Sequence, residues 1–376
     1  MLERIFDLHY HQLSNYPKSD ALNDKIDGQW VSVSTESMIE QAESLASGFL
    51  EFGLKRGDKV GLIANNRSEW LIVDLAILIS GMISVPIYPT ITVEDYEYIL
   101  NNAEVKLCFV SDHDLFTKVS SVQPKVSLLQ KIYAFDTFSE CDHWSTLRDS
   151  GKGENKEKIE EIKAAVKGED LATLIYTSGT TGRPKGVMLS HTNLVSNSLA
   201  SRKRLPCTSD SKSLSFLPLS HVYERMISYL YFYVGTSIYY AESLETIGDN
   251  LREVKPQVFT AVPRLLEKVY DKIVAKGADL TGVKKAMFFW ALKLGQRYEV
   301  NGANGAFYEF QLKLANKIIF SKWREALGGN ALAVASGAAA LQPRLARVFL
   351  AAQIPVMEGY GLTETSPVLA VNEEAN

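Results

Sequence analysis

Two β-type runs, residues 59–64 and 83–88, bracket a helical segment that Ser68 is expected to cap, and this spacing constrains the fold more than any other feature. Strand, helix and strand within about thirty residues make a βαβ unit, which closes only as a parallel pair with a crossover helix. The window 70–88 is the most apolar in the chain, but Asp74, Gly81 and Pro86 interrupt it. A helix followed by a buried strand accounts for it better than a bilayer span. Upstream, Ser34 or Thr35 is expected to cap a helix with the apolar face Met38, Ala42, Leu45 and Phe49, closed by Gly53. Downstream, Thr92 with Asp95 opens another helix, and 107–110 reads as a further strand.

The alternation breaks at 148–170, where Lys and Glu dominate and Gly151 and Gly153 punctuate the chain. A surface connector with an exposed helix is expected there, leaving a first α/β subdomain at 1–170 and a second at 171–376. Strand-like runs return at 213–218, 237–241 and 258–262, with helices from about 223 and over 247–254. Residues 283–327 read as two long amphipathic helices separated by Asn301-Gly302-Ala303-Asn304-Gly305. The expected class is α/β, with two mostly parallel sheets layered with helices.

A chain of 376 residues buries a substantial core without a disulfide or metal staple. Cys108, Cys141 and Cys207 are too few and scattered for a disulfide framework or a Cys-type zinc site, which fits a reducing, cytoplasmic setting. Met1-Leu2-Glu3-Arg4-Ile5-Phe6 lacks an apolar stretch behind a basic start, so no secretion signal is read. Forty Lys and Arg against 44 Asp and Glu give a net charge of −4, which argues against a dedicated nucleic-acid binder. The lone cluster Arg202-Lys203-Arg204 reads as a solvated helix end.

The most informative stretch is Leu174-Ile175-Tyr176-Thr177-Ser178-Gly179-Thr180-Thr181-Gly182-Arg183-Pro184-Lys185-Gly186-Val187. A strand-like run ends in hydroxyl residues interleaved with glycines, followed by a lysine. Glycine lets backbone N–H groups turn inward around an anion. The hydroxyls of Thr177, Ser178, Thr180 and Thr181 can donate to phosphate oxygens, Gly179 and Gly182 free the backbone, and Lys185 supplies a mobile charge. A Ser/Thr-rich hairpin turn is the plain alternative, but hydroxyls, glycines and a lysine coincide here within a few residues. Lys185 precedes an extended run, so this is a loop between strands and not a Walker A turn into a helix.

This stretch resembles the signature of the adenylate-forming superfamily, which includes acyl-CoA synthetases and the adenylation domains of peptide synthetases. Phe216-Leu217-Pro218-Leu219-Ser220-His221-Val222-Tyr223-Glu224-Arg225 resembles the family segment whose aromatic residue, here His221, lines the carboxylate pocket. A positioning role for His221 is implied. Ser336-Gly337-Ala338-Ala339-Ala340-Leu341 is similar to the family's strand end against adenine and the acyl group, with Gly337 and Ala338 at the nucleotide. Ala338 departs from a position that is commonly a second glycine. Met357-Glu358-Gly359-Tyr360-Gly361-Leu362-Thr363-Glu364-Thr365-Ser366-Pro367 is the third match. It implies that Glu358, Gly359, Tyr360 and Gly361 form the adenine site, with Tyr360 as the stacking face. Thr363 would donate to the α-phosphate, and Glu364 is a hard carboxylate suited to Mg²⁺ on phosphate oxygens. The expectation is that Tyr360 and Glu364 face the turn 177–186 across a shared cleft.

Within the superfamily, 283–329 resembles the helical segment of long-chain fatty acyl-CoA synthetases, and Tyr223-Glu224-Arg225 and Ala261-Val262-Pro263-Arg264 agree. Ala286, Phe289, Trp290 and Leu294 recur there at helical spacing, as a core stripe or as part of an acyl-tunnel wall. The resemblance implies ATP-dependent activation of a long-chain fatty acid to acyl-adenylate and then to acyl-CoA. Lys185, His221, Thr363 and Glu364 would be the catalytic set, and ATP, Mg²⁺ and coenzyme A the cofactor and co-substrates. The family's Tyr-x-Thr-Gly-Asp segment, hinge and small C-terminal domain do not follow Glu364, so the chain is expected to be an N-terminal fragment, inactive or weakly active alone. A non-catalytic nucleotide- or acyl-binding module, or a ligase for another carboxylic acid, are the alternatives. No transmembrane helix is evident, and a weak peripheral membrane association suits a substrate that partitions into bilayers.

Overall fold

The structure, a computed structural model, describes residues 2–178 and 182–372. Gly179, Thr180 and Thr181 of the glycine-rich turn lie outside the described residues. The fold is α/β with two mostly parallel sheets, as expected. In chain order the first strands are β1 (Leu22–Ile26), β2 (Gln29–Val33), β3 (Lys59–Ile63), β4 (Ile83–Pro86), β5 (Val105–Val110) and β6 (Lys131–Ala134). β7 (Leu171–Thr177), β8 (Lys185–Ser190), β9 (Lys212–Ser215) and β10 (Ser237–Tyr240) follow. The last are β11 (Val258–Ala261), β12 (Ala333–Ser336), β13 (Val356–Gly361) and β14 (Val368–Val371).

The chain divides into two compact units. The first comprises Met1–Ala200, Leu217–Tyr240 and Thr363–Pro367; the second comprises Ser201–Phe216, Ala241–Leu362 and Val368–Asn376. The sequence places a boundary at 170, but β7 begins immediately after it and pairs with β4 at Ser84↔Thr173. The first unit therefore runs on to Ala200.

In the first unit a six-stranded sheet has the order β6-β5-β3-β4-β7-β8. All its pairs are parallel except β7 with β8. The βαβ unit forms as read: β3 pairs with β4 from Lys59↔Ile83 to Leu62↔Pro86, joined by the helix Ser68–Ile79. That helix buries nearly every side chain from Trp70 to Ile79, which is why its sequence carries no polar stripe. Its cap differs from expectation. Arg67 holds the N-cap position and Ser68 is the first helical residue. The Ser68 N–H donates instead to the Asp24 carboxylate at 3.1 Å, a distant anion doing what a local side chain was expected to do.

Other local readings hold. Ser34, and not Thr35, caps Thr35–Glu51 by accepting from Ser37 N–H, and Met38, Ala42, Leu45 and Phe49 are buried. Thr92 accepts from Asp95 N–H to start Val93–Asn102. The connector helix Lys156–Ala165 buries only Ile159. The first unit also contains the strand set β10-β1-β2, with β1 parallel to β10 and antiparallel to β2.

In the second unit the strand order is β14-β13-β12-β11-β9, antiparallel only at β14. The helical stretch after β11 contains Gly282–Gln296, and the expected second long helix is broken into Ala306–Ala315, a π turn Asn316–Phe320 and Ser321–Ala326. The core stripe there is shifted from the expected one. Ala286 is exposed and Phe289 and Trp290 are half-buried, while Phe288, Ala291, Leu292, Leu294 and Gly295 are buried. The buried Phe288 ring lies on the inward side, meeting Trp323 at 6.2 Å and lying where a Cβ on Gly277 would be. Among the described residues no helix is long and apolar enough to cross a membrane.

Candidate active site

The glycine-rich turn is held between two paired strands. β7 and β8 run antiparallel with Thr177↔Lys185 and Tyr176↔Gly186 in register, so the strand–loop–strand reading is correct. Gly186 packs closely on the Tyr176 ring, and a Cβ there would stand 3.1 Å from it, tight enough that the ring would have to give way. That ring is itself fixed, its hydroxyl donating to Asn102 Oδ1 at 2.6 Å. Arg183 stacks its guanidinium 5.3 Å over Tyr98, a cation–π contact that anchors the second half of the turn. Gly182 takes φ +88°, a conformation that favours glycine.

A cavity of about 380 Å³ opens at the carboxyl ends of β4 and β7, where open parallel sheets place their ligands. Thr177, Ser178, His221 and Thr363 all line it. Lys185 stands opposite Thr177 in the strand pair and is exposed. Glu364 is exposed beside Thr363 on the single 3-10 turn Thr363–Thr365, which packs against β8.

His221 holds two positions at once. It is the N-cap of Val222–Val234, its Nδ1 accepting from Tyr223 N–H at 3.1 Å, and it also lines the cavity. Burial holds its pKa below the usual histidine value, so the ring is neutral near pH 7. With Nδ1 used as acceptor, the proton sits on Nε2. The Tyr88 ring meets His221 edge-on at 6.4 Å, and burial pushes its hydroxyl up to about 12.

The remaining candidates form a group in the second unit. β12 ends at Ser336, which pairs with Glu358 on β13. Gly337 N–H donates to Ala261 O at 3.2 Å, continuing the ladder one residue past the strand. Glu358 Oε2 accepts from Leu341 N–H at 3.2 Å, closing the turn that carries Gly337 and Ala338. Ala338 has φ +69°, so the position read as a departure from glycine does adopt the left-handed backbone. Gly359 and Gly361 flank Tyr360 along the β13–β14 pair, and Tyr360 is 65% exposed.

Sequence reasoning missed Ile87, Tyr88, Ile91 and Asp95, which also line the cavity. The available signal was position: Tyr88 follows the carboxyl end of a parallel strand adjacent to the one that carries the turn.

Among the described residues no group of three or more His, Cys, Asp and Glu could hold a metal ion. One exposed carboxylate beside a hydroxyl-lined cavity still suits Mg²⁺, which binds through one or two carboxylates with substrate phosphates and keeps several waters.

A glycine and hydroxyl turn held between paired strands, with a histidine and a threonine from distant segments on the same cavity, is an arrangement suited to an anionic ligand. The chain belongs to the AMP-binding enzyme family, whose pattern matches residues 10–376. It is 34% identical to the long-chain-fatty-acid–CoA ligase ACSBG2 of Xenopus laevis, over 96% of this chain and 51% of that protein. It is 32% identical to the long-chain-fatty-acid–CoA ligase FadD15 of Mycobacterium bovis, over 93% of this chain and 58% of that protein. The chain thus spans a little over half the length of these relatives. A long-chain-fatty-acid–CoA ligase from Archaeoglobus fulgidus shares the fold, with a TM-score of 0.75 at 20% identity over 100% of this chain and 67% of that one.

Proposed function

We propose that this chain is the nucleotide- and acyl-binding part of a long-chain fatty acid–CoA ligase. The observation that carries the reading is the convergence of Thr177, Ser178, His221 and Thr363 on one cavity. The similarity to long-chain ligases supports the acyl class.

In the first half-reaction a fatty carboxylate oxygen attacks the α-phosphorus of ATP, forming the acyl–phosphate anhydride as the bond to pyrophosphate breaks. Both reactants are anions, so charge must be neutralised where they meet. Lys185 supplies a positive charge to the leaving pyrophosphate, and the Thr177 and Ser178 hydroxyls donate to its oxygens. Thr363 donates to the α-phosphate. Neutral His221 orients the carboxylate from Nε2–H, the other nitrogen being tied to the helix cap. Mg²⁺, when bound at Glu364, would lower the negative charge of the phosphates. Adenine stacks on Tyr360, with Gly337, Ala338, Glu358, Gly359 and Gly361 around it. In the second half-reaction the thiolate of coenzyme A attacks the acyl carbon and AMP leaves, a step that needs orientation more than a covalent nucleophile.

The test is binding of ATP and of a non-hydrolysable oleoyl-adenylate analogue to the purified chain, followed by calorimetry. Weak but saturable binding is expected, reduced about tenfold or more in K185A and T363A, as loss of a charged or hydroxyl contact to bound phosphate implies. Binding that neither substitution disturbs would overturn the assignment. Pyrophosphate release from oleate and ATP should be slow, and rapid release would show that these residues suffice for catalysis.

A further inference from the structure

The segment 306–322 has one face in the core and one outside it. Tyr308, Leu312, Ala315, Asn316 and Phe320 are buried, and the Tyr308 hydroxyl donates to Leu294 O at 2.7 Å. The outward face should be polar on a protein surface of this kind, and it is not. Phe307 is 75% exposed, Phe310 66%, Leu314 43% and Ile318 40%. These positions follow one another three or four residues apart, which makes a single stripe along the helix and not scattered exposure. Lys313 and Lys317 are exposed within the same stretch. Lys322, one turn further on, is exposed and pairs with Glu325. The only acid between 306 and 322, Glu309, is half-buried.

We propose that this face docks on an anionic lipid surface, with Phe307, Phe310, Leu314 and Ile318 entering the headgroup–acyl boundary and Lys313 and Lys317 meeting lipid phosphates. An exposed aromatic and aliphatic stripe edged by lysines is the pattern of helices that lie in the membrane interface. Charge selects this occupant over a second copy of the chain. A two-fold pairing of identical stripes would bring the lysines of both copies to the same contact, where they repel, whereas anionic headgroups neutralise them. The inference is independent of the catalytic reading, because no residue in it belongs to the candidate active site.

The experiment is co-sedimentation of the chain with vesicles of phosphatidylcholine alone and of phosphatidylcholine with phosphatidylglycerol. Binding is expected only to the anionic vesicles, weakening as salt is raised. F307S/F310S should bind about tenfold or more weakly, since each exposed Phe loses its transfer from water. K313E/K317E should lose the preference for anionic lipid. L244S, which removes a residue 71% exposed elsewhere in the second unit, should bind as the unaltered chain does. Circular dichroism confirms that each variant is folded. Failure of the unaltered chain to bind anionic vesicles, or equal binding by F307S/F310S, overturns the proposal. So does a dimer in sedimentation velocity that F307S/F310S abolishes, which would assign the face to a second copy.

Discussion

Arg225 and Asp74 form an ion pair with Nη2 2.5 Å from Oδ1, and both side chains are closed off from solvent. Arg225 Nε also donates to the Tyr229 hydroxyl at 2.6 Å, and Nη1 to Thr173 Oγ1 at 2.7 Å. Thr173 Oγ1 in turn donates to Ser84 O. The guanidinium therefore joins the helix that begins after His221 to the strand that ends at Thr177, both of which serve the cavity. Removing one partner leaves a buried uncompensated charge. D74A should cost about 3–5 kcal/mol in urea unfolding, whereas D74N/R225M, which removes both charges at nearly the same volume, should recover most of it. Equal losses in the two variants would contradict this account.

His221 serves the helix through Nδ1 and the cavity through the rest of its ring, so the two roles should separate by substitution. Asn is a good N-cap residue and Ala is not. H221A should lose about 1 kcal/mol of stability and H221N close to none, measured by urea midpoint. Both should weaken binding of the oleoyl-adenylate analogue, because neither presents a donor at the Nε2 position.

Ala338 is held at φ +69°, where a Cβ crowds the following carbonyl. A338G relieves that crowding and gives back part of it as extra freedom in the unfolded chain. A net gain of about 0.5–1 kcal/mol is expected, seen as a higher urea midpoint at unchanged slope. Loss of stability would mean that the methyl makes contacts worth more than the strain.

Burial, with the Glu69 carboxylate adding to it, pushes the Asp24 carboxyl up to about 6 despite the bonds it accepts from Ser68. A carboxyl whose pKa is higher in the folded state favours folding when protonated. Its contribution is complete below the unfolded value of about 4 and is lost as pH rises through about 6. Stability should fall by up to about 3 kcal/mol over that interval relative to D24N, whose amide oxygen can still accept from Ser68 N–H. Parallel pH dependence in the two proteins would remove Asp24 as the cause.

Periodicity and local hydrogen bonding were legible in the sequence because their causes lie within a few residues. The parallel pair β3 and β4, the caps at Ser34 and Thr92, and the turn between β7 and β8 all follow from neighbours along the chain. Hydroxyls, glycines and a lysine in one turn marked 177–186 as a candidate site, and Thr177 and Ser178 at its start do line the cavity. What only the tertiary structure decided depends on partners far apart in sequence. Asp24 caps a helix that starts 44 residues later. Thr363 shares a cavity with Tyr88, and the ring of Phe288 lies on the inward side of its helix, against Trp323. Nor does any local rule forbid the outward stripe at Phe307 and Phe310, because periodicity reports that a helix has an apolar face without saying which of two such faces is covered.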